Sequence, residues 1–376
     1  MKVLLIMGAA GGVGRHVTDL AYYLLKSGHV VTLIYSRTRT DSYINNRLSI
    51  LELNGCEILD YKFNRRIGFK DLLVAMSIVR LTINSQAWDV IHGHSSKGGL
   101  YARVLYFCCK AKIIYSPHAF YTMNQGDNKF INFAIRLLEY LMSFLTYKII
   151  TTSKKEMEHL SYLWISENKA SLISNGSYNS PFDVALKLPL HIDLKGHGGN
   201  FTIGFVGRFC YQKNLDLVIE IFSNCLLENR NLKLLMVGSG DDESRIKSLV
   251  TDMGLGDKVI FLGEVNCDDV MPLFDLLLVT SRYEGSPYLF QDAVKHGVPV
   301  ISTDVGGVEF FVKNNKNGFV FDSPKNAVKS IIRLVESPDL LKKFSNESNK
   351  IAKYYSWSRM GNAVLKLYES SKGHFR

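Results

Sequence analysis

The stretch Phe201-Thr202-Ile203-Gly204-Phe205-Val206-Gly207-Arg208-Phe209-Cys210-Tyr211-Gln212-Lys213-Asn214 decides the fold. A short, largely apolar run fit for a buried strand ends in a glycine turn, and helical spacing begins at once over Leu215–Leu226. The same alternation continues downstream, with strands expected at Leu232–Val237, Val259–Leu262, Leu276–Thr280, Val298–Ser302 and Phe319–Phe321 and a helix at Glu243–Met253. Upstream it has already run once. Val3–Met7, His29–Tyr35, Val90–His92, Lys112–Ser116, Lys148–Thr152 and Ala170–Ile173 read as strands. Between them Arg15–Lys26, Phe69–Ile83, Lys97–Cys109, Phe130–Leu145 and Lys154–Leu163 carry helical periodicity. Strands alternating with helices imply parallel sheets with crossover connections, so the reading is α/β with two Rossmann-like, doubly wound domains. The first spans 1–177, a Ser-, Gly-, Pro- and Asn-containing linker 178–200, and the second 201–354.

A chain of 376 residues exceeds one ordinary α/β core, in keeping with two domains. With 47% hydrophobic and 21% charged residues it is globular rather than disordered. The six cysteines form no C-x-x-C pair and no zinc spacing with histidine, so reduced thiols are expected. The apolar run Val3–Met7 is too short for a signal peptide's core, and no stretch reaches the roughly 18 apolar residues of a spanning helix. Of the net charge of +10, residues 1–175 hold 21 Lys and Arg against 12 Asp and Glu, so the basic excess lies in the first half. It points to an anionic partner. Nucleic acid is set aside because no basic and aromatic binding motif accompanies the charge.

In the second half, Arg208 just past a strand and Lys213 at the next helix start are placed to clamp a diphosphate at the carboxyl end of a sheet. Further on, Ser281-Arg282-Tyr283-Glu284-Gly285-Ser286-Pro287-Tyr288-Leu289-Phe290-Gln291-Asp292 turns into a helix, exposing amides at its start, with Asp292 expected about two turns in. In the first half, Gly8-Ala9-Ala10-Gly11-Gly12-Val13-Gly14 joins the first strand to the first helix. This glycine turn also resembles that of malate dehydrogenase-like NAD proteins. An NAD(P)-dependent oxidoreductase is therefore the rival reading, although Tyr35-Ser36-Arg37-Thr38-Arg39 lacks the acid that would hold an NAD ribose.

The boxes Gly207-Arg208…Lys213 and Glu284-Gly285-Ser286-Pro287…Gly297-Val298-Pro299-Val300-Ile301-Ser302-Thr303, in this order, resemble those of the family 4 glycosyltransferases. Val237–Gly240, Phe261–Gly263, Gly11-Gly12 with Arg15-His16, and His92–Lys97 fit the same pattern, so the resemblance runs nearly end to end. It implies the GT-B fold, two Rossmann-like domains facing across a cleft, and a retaining hexosyltransferase (EC 2.4) of the type that builds bacterial capsule or O-antigen. Arg208 and Lys213 would bind the donor diphosphate, Glu284 would lie at the donor sugar, and His118 would stand beside the reacting centre. Gly11, Gly12, Gly207, Gly238, Gly285, Ser286, Pro287, Tyr288, Leu289 and Asp292 would line the donor. The motif's second glutamate is Asp292 here, which leaves a catalytically inactive sugar-nucleotide binder as an alternative. The resemblance implies no metal and no cofactor, the nucleotide sugar being a co-substrate. UDP-sugars are favoured over GDP-mannose.

The acceptor is expected on the N-terminal domain, at Arg15, His16, His94 and Lys97, and a polyprenyl-diphosphate-linked saccharide fits the basic excess. Phe130–Leu138 and Arg65-Arg66 are candidates for contact with the anionic inner face of the cytoplasmic membrane, which implies a cytoplasmic, peripheral location. Finally, Tyr355-Ser356-Trp357 precedes a one-sided apolar stripe, Met360, Ala363, Val364, Leu367 and Tyr368. The resemblance implies that this tail, 355–376, packs back on the N-terminal domain.

Overall fold

The computed structural model describes residues 1–9, 11–40, 42–61, 69–84, 87–123, 129–182 and 201–370. Arg65-Arg66, most of the linker and the last six residues of the tail lie outside them. The chain divides into two units, Met1–Leu186 with Ser356–Arg376, and Lys187–Tyr355.

The first unit runs β1 (Lys2–Met7), α1 (Gly12–Lys26), β2 (Val30–Tyr35), α2 (Ser42–Leu53), β3 (Glu57–Asp60), α3 (Phe69–Asn84), β4 (Val90–His94), α4 (Ser95–Val104), β5 (Lys112–Ser116), α5 (Lys129–Ser143), β6 (Lys148–Thr151), α6 (Lys154–Tyr162) and β7 (Ala170–Leu172). Its strands pair in the order β3-β2-β1-β4-β5-β6-β7, all parallel. The pleat of β1 explains why both sheet faces are covered. Val3, Leu5 and Met7 enter one core with α1 and α2 residues, while Leu4 and Ile6 enter another with Ile78, Tyr101 and Leu105.

The second unit runs β8 (Phe201–Val206), α7 (Leu215–Glu228), β9 (Leu232–Val237), α8 (Glu243–Asp252), β10 (Val259–Gly263), α9 (Cys267–Val270), β11 (Leu276–Val279), α10 (Tyr288–Lys295), β12 (Val300–Thr303), α11 (Val308–Phe311), β13 (Gly318–Phe321), α12 (Pro324–Val335) and α13 (Pro338–Ala352). The parallel order is β10-β9-β8-β11-β12-β13. The last helix, α14 (Trp357–Glu369), belongs to the first unit, where Met360, Val364 and Tyr368 join the core of β1 and α1.

Several elements differ from the sequence expectation. β3 and α2 were not anticipated: β3 is an edge strand with no fully buried residue, and α2 turns a charged residue, Arg47, into the core. Nor were α12 and α13, although each begins with a serine cap, Ser323 or Ser337, followed by proline at the first helical position. Asp292 stands just over one turn into α10, not two.

Both sheets reverse direction beside their first strand, between β1 and β4 and between β8 and β11. Such switch points leave a crevice at the carboxyl ends of the strands, where α/β proteins bind ligands.

Candidate active site

The switch point of the second unit gathers the charged residues singled out above. Arg208 follows β8 directly; it is exposed and makes no hydrogen bond or ion pair among the described residues. Lys213 closes a single turn over Tyr211–Lys213, after which Asn214 takes a left-handed conformation, φ 53°, and α7 starts. That loop is held from β11. Thr280 Oγ1 donates to the carbonyls of Lys213 and Asn214 at 2.8 and 3.2 Å, and the Arg282 amide donates to Gln212 O at 2.8 Å. Lys213 Nζ meets Glu284 Oε1 at 2.6 Å, and Gln212 Nε2 donates to the Tyr283 carbonyl at 3.0 Å and to Glu284 Oε2 at 3.3 Å. Two boxes far apart in sequence thus become one cluster, because β8 and β11 are sheet neighbours.

Glycines let the surrounding turns close. A Cβ on Gly207 would come 3.0 Å from Lys213 Cε, and one on Gly238, φ 131°, would collide with the Gly207 carbonyl. Pro287 stands at the N-cap of α10, so the N–H groups of Ser286, Tyr288 and Leu289 sit at a helix start, with Ser286, Tyr288 and Asp292 buried. Gly285 lies in the same turn before the helix.

The switch point of the first unit gathers histidines. Gly11, φ 63°, caps α1, which carries Gly12, and its missing Cβ would meet nothing within 4 Å among the described residues, so the backbone there leaves room for a ligand. One turn on, Arg15 and His16 are buried, as are His94 at the end of β4 and Lys97 in α4. His16 Nδ1 lies 2.9 Å from Asn175 Oδ1, and His94 Nδ1 lies 3.2 Å from His118 Nε2. Burial keeps these imidazoles neutral: His16 falls to about 4, and His94 and His118 fall well below the usual range, with neighbouring histidines adding to the effect for those two.

The backbone at His118 is strained. His118 and Ala119 have φ 54° and 86°, left-handed values that cost non-glycine residues about 1–3 kcal/mol each and persist only where surroundings impose them. The imposing group is Glu156 of α6, fully buried. Its Oε1 accepts from the Ala119 amide, and its Oε2 accepts from the amide and hydroxyl of Thr152 at 2.6 and 2.9 Å. Glu156, Asn175 and Gln212 belong to no sequence motif; each acts through one partner brought close by folding.

The chain matches two family models in succession. Residues 10–177 match "Glycosyltransferase Family 4" and residues 192–351 match "Glycosyl transferases group 1". A glycosyltransferase of Methanocaldococcus jannaschii is 26% identical over 96% of this chain and 94% of its own length. An Escherichia coli UDP-Gal:alpha-D-GlcNAc-diphosphoundecaprenol alpha-1,3-galactosyltransferase is 24% identical over 80% of this chain and 79% of its own. Among solved structures, Anabaena HepE in complex with UDP and glucose superposes with a TM-score of 0.79 at 18% identity, covering 98% of this chain and all of that one. Two parallel-sheet Rossmann-like units carrying these two matches in this order make the chain a glycosyltransferase of the GT-B type.

Proposed function

We propose that the chain is a retaining family 4 glycosyltransferase that moves a hexose or N-acetylhexosamine from a nucleotide sugar, a UDP-sugar before GDP-mannose, to a lipid-linked saccharide in surface-polysaccharide synthesis. The observation that carries this reading is the cluster of Arg208, Lys213 and Glu284 at the second unit's switch point. Transfer breaks the bond from the anomeric carbon to a diphosphate, so negative charge builds on the leaving group. Fixed cations that bind it more tightly at the transition state lower the barrier. Arg208 supplies a planar fork, and Lys213 a point charge that the donor draws from Glu284, freeing that carboxylate for the sugar hydroxyls. The two cations serve as the electrophile, and no metal enters the scheme. Asp292 takes the ribose, and Arg15, His16, His94 and Lys97 serve the acceptor. HepE binds UDP and glucose, and the E. coli relative acts on a diphosphoundecaprenol-linked sugar, which supports the donor and acceptor classes.

A lipid-linked acceptor places the enzyme at the inner face of the cytoplasmic membrane, as a peripheral protein. Among the described residues no helix is long and apolar enough to cross a membrane. Helix α5 instead leaves Phe130 85%, Phe133 55%, Leu141 53% and, just beyond it, Phe144 61% exposed. Its buried Glu139 is anchored by Arg103 at 2.7 Å, while Arg136 stacks on half-exposed Trp164 at 3.6 Å. An apolar face with cationic and tryptophan side chains beside it suits an anionic lipid surface.

Thermal melting with UDP, GDP, their sugars and NADP tests the donor, because a ligand of the native state raises the transition. UDP or a UDP-sugar is expected to do so; stabilisation by NADP alone would favour the oxidoreductase. Pelleting with phosphatidylglycerol vesicles tests the surface: Phe130→Glu, Phe133→Glu and Leu137→Glu together are expected to abolish pelleting and keep UDP stabilisation. Pelleting unchanged by that triple substitution would remove α5 from the membrane.

The strained His118 loop yields a kinetic prediction. In Glu156→Gln one amide nitrogen faces a donor, so either Ala119 or Thr152 loses its acceptor. Turnover is expected to fall about 10-fold or more, the scale of a misplaced catalytic group. In a His118→Ala background the same change should cost nothing further in kcat. Additive losses in that double-mutant cycle would show Glu156 acting elsewhere.

A further inference from the structure

Four imidazoles, those of His16, His92, His94 and His118, meet at the first unit's switch point, with the rings of His92 and His94 3.9 Å apart. His92 is fully engaged: Nδ1 lies 2.6 Å from the Tyr368 hydroxyl and Nε2 2.8 Å from Ser116 Oγ. The other three are not. Asn175 Oδ1 can only accept, so His16 Nδ1 carries the hydrogen and Nε2 presents a lone pair. That Nε2 is buried without a hydrogen-bond partner among the described residues. Orphaned buried polar atoms each cost about 1–3 kcal/mol, and a fold keeps them where a ligand uses them.

The spacing says which ligand. One ring nitrogen from each of His16, His94 and His118 lies within 4.8 Å of the other two. Two imidazoles on a tetrahedral zinc ion, with Zn–N of about 2.0–2.1 Å, stand about 3.3–3.4 Å apart. His94 Nδ1 and His118 Nε2 are already 3.2 Å apart, so an ion can replace their mutual hydrogen bond once the bridging hydrogen moves to the other nitrogen of its own ring and both rings turn toward the ion. His16 completes the set by a ring tilt, and Asn175 is the outer partner that orients a metal-bound imidazole. Three neutral nitrogens with no carboxylate select zinc, cobalt or nickel over magnesium or calcium.

We propose that His16, His94 and His118 form a binding site for a divalent transition-metal ion of the zinc class, and that the bound ion checks glycosyl transfer by engaging His118. The site itself needs no reaction; its inhibitory effect rests on the role of His118 in the proposed function. Three ligands leave the fourth position for water or a substrate oxygen.

Zn²⁺ titration of the metal-free full chain by calorimetry, with Co²⁺ followed by its visible absorption, tests the site without any donor. One ion per chain and the absorption of tetrahedral cobalt with nitrogen ligands are expected. His16→Gln and His94→Gln, checked for folding by their melting transitions, should each weaken binding at least about 10-fold, the lower bound for losing even an outer-shell partner. Asn175→Ala, which keeps all three ligands, should weaken it about 10- to 100-fold. Unchanged binding in the His16→Gln/His94→Gln double variant, or no binding in the parent chain, would overturn the site. In the transfer assay, Zn²⁺ should inhibit at the concentration that fills the site, and a chelator should restore the rate. Zinc bound with the rate unchanged would overturn the check. A chain inactive with every donor even without metal would instead count against the proposed transfer and leave the binding result standing.

Discussion

Arg208→Ala is expected to lower transfer by about 10² or more in kcat, with the melting transition unmoved. The two halves of that expectation have separate causes. Arg208 is exposed and has no partner among the described residues, so the resting fold loses nothing when its guanidinium is removed. Its contact with a bound diphosphate strengthens as that group leaves, so the loss falls on turnover. Lys213→Ala should lose as much turnover but should also cost stability. Lys213 and Glu284 side chains are only 15% and 9% exposed, so deletion strands a nearly buried carboxylate with Gln212 as its remaining side-chain donor. A cost of about 1–3 kcal/mol follows from leaving such a group underpaired. Steady-state kinetics and calorimetry on the two variants separate these outcomes. Near-normal kcat in both would take the pair out of the mechanism.

The difference between these residues marks how far the sequence could be read. That Arg208 and Lys213 follow a strand, and that Glu284 precedes a helix, was plain from local pattern. That Lys213 rests on Glu284 was not, because the pair exists only through the pairing of β8 with β11. His118 was visible through its resemblance, while the carboxylate that bends its backbone was hidden. Glu156 reads in sequence as one more charge in Lys154-Lys155-Glu156, the start of a solvated helix. Its burial depends on three donors supplied by Ala119 and Thr152.

The fold was legible where strands are buried on both faces, as β1 and β11 are, since such strands are near-continuous apolar runs. It was illegible where a polar residue does a core residue's work. In α2 the helical stripe breaks at Arg47, which is fully buried, pairs with Asp19 at 2.5 Å, and stacks 4.1 Å over Phe182. Hydropathy cannot count a guanidinium as core. Only its partners, on α1 and near residue 180, make it one.

Ending the chain at Tyr355 is expected to unfold the first unit and to spare the second. Helix α14 is part of the first core rather than a cover on it. Met360, Val364 and Tyr368 are buried there, and a side chain on Gly361 would collide with Tyr23 of α1. Trp357 packs edge-on against Tyr22 and Tyr23, at 5.9 and 5.7 Å between ring centres. Each fully buried side chain of this kind contributes about 1.5–3 kcal/mol. Removing three of them, and opening the α1 surface they cover, is comparable with the whole 5–15 kcal/mol that holds a domain together. Calorimetry of the shortened chain should therefore lose the transition of the first unit. The remaining transition should still rise with UDP, since Arg208, Lys213 and Glu284 lie in the second unit. Two point variants grade the effect. Tyr368→Phe removes only the hydroxyl 2.6 Å from His92 Nδ1, a loss of about 1–3 kcal/mol for an orphaned buried nitrogen. Tyr368→Ala adds a cavity and should cost about 3–5 kcal/mol, as for other large aromatic deletions. If the chain ending at Tyr355 kept both transitions within a few degrees of the full-length protein, α14 would be dispensable to the core that its burial assigns it.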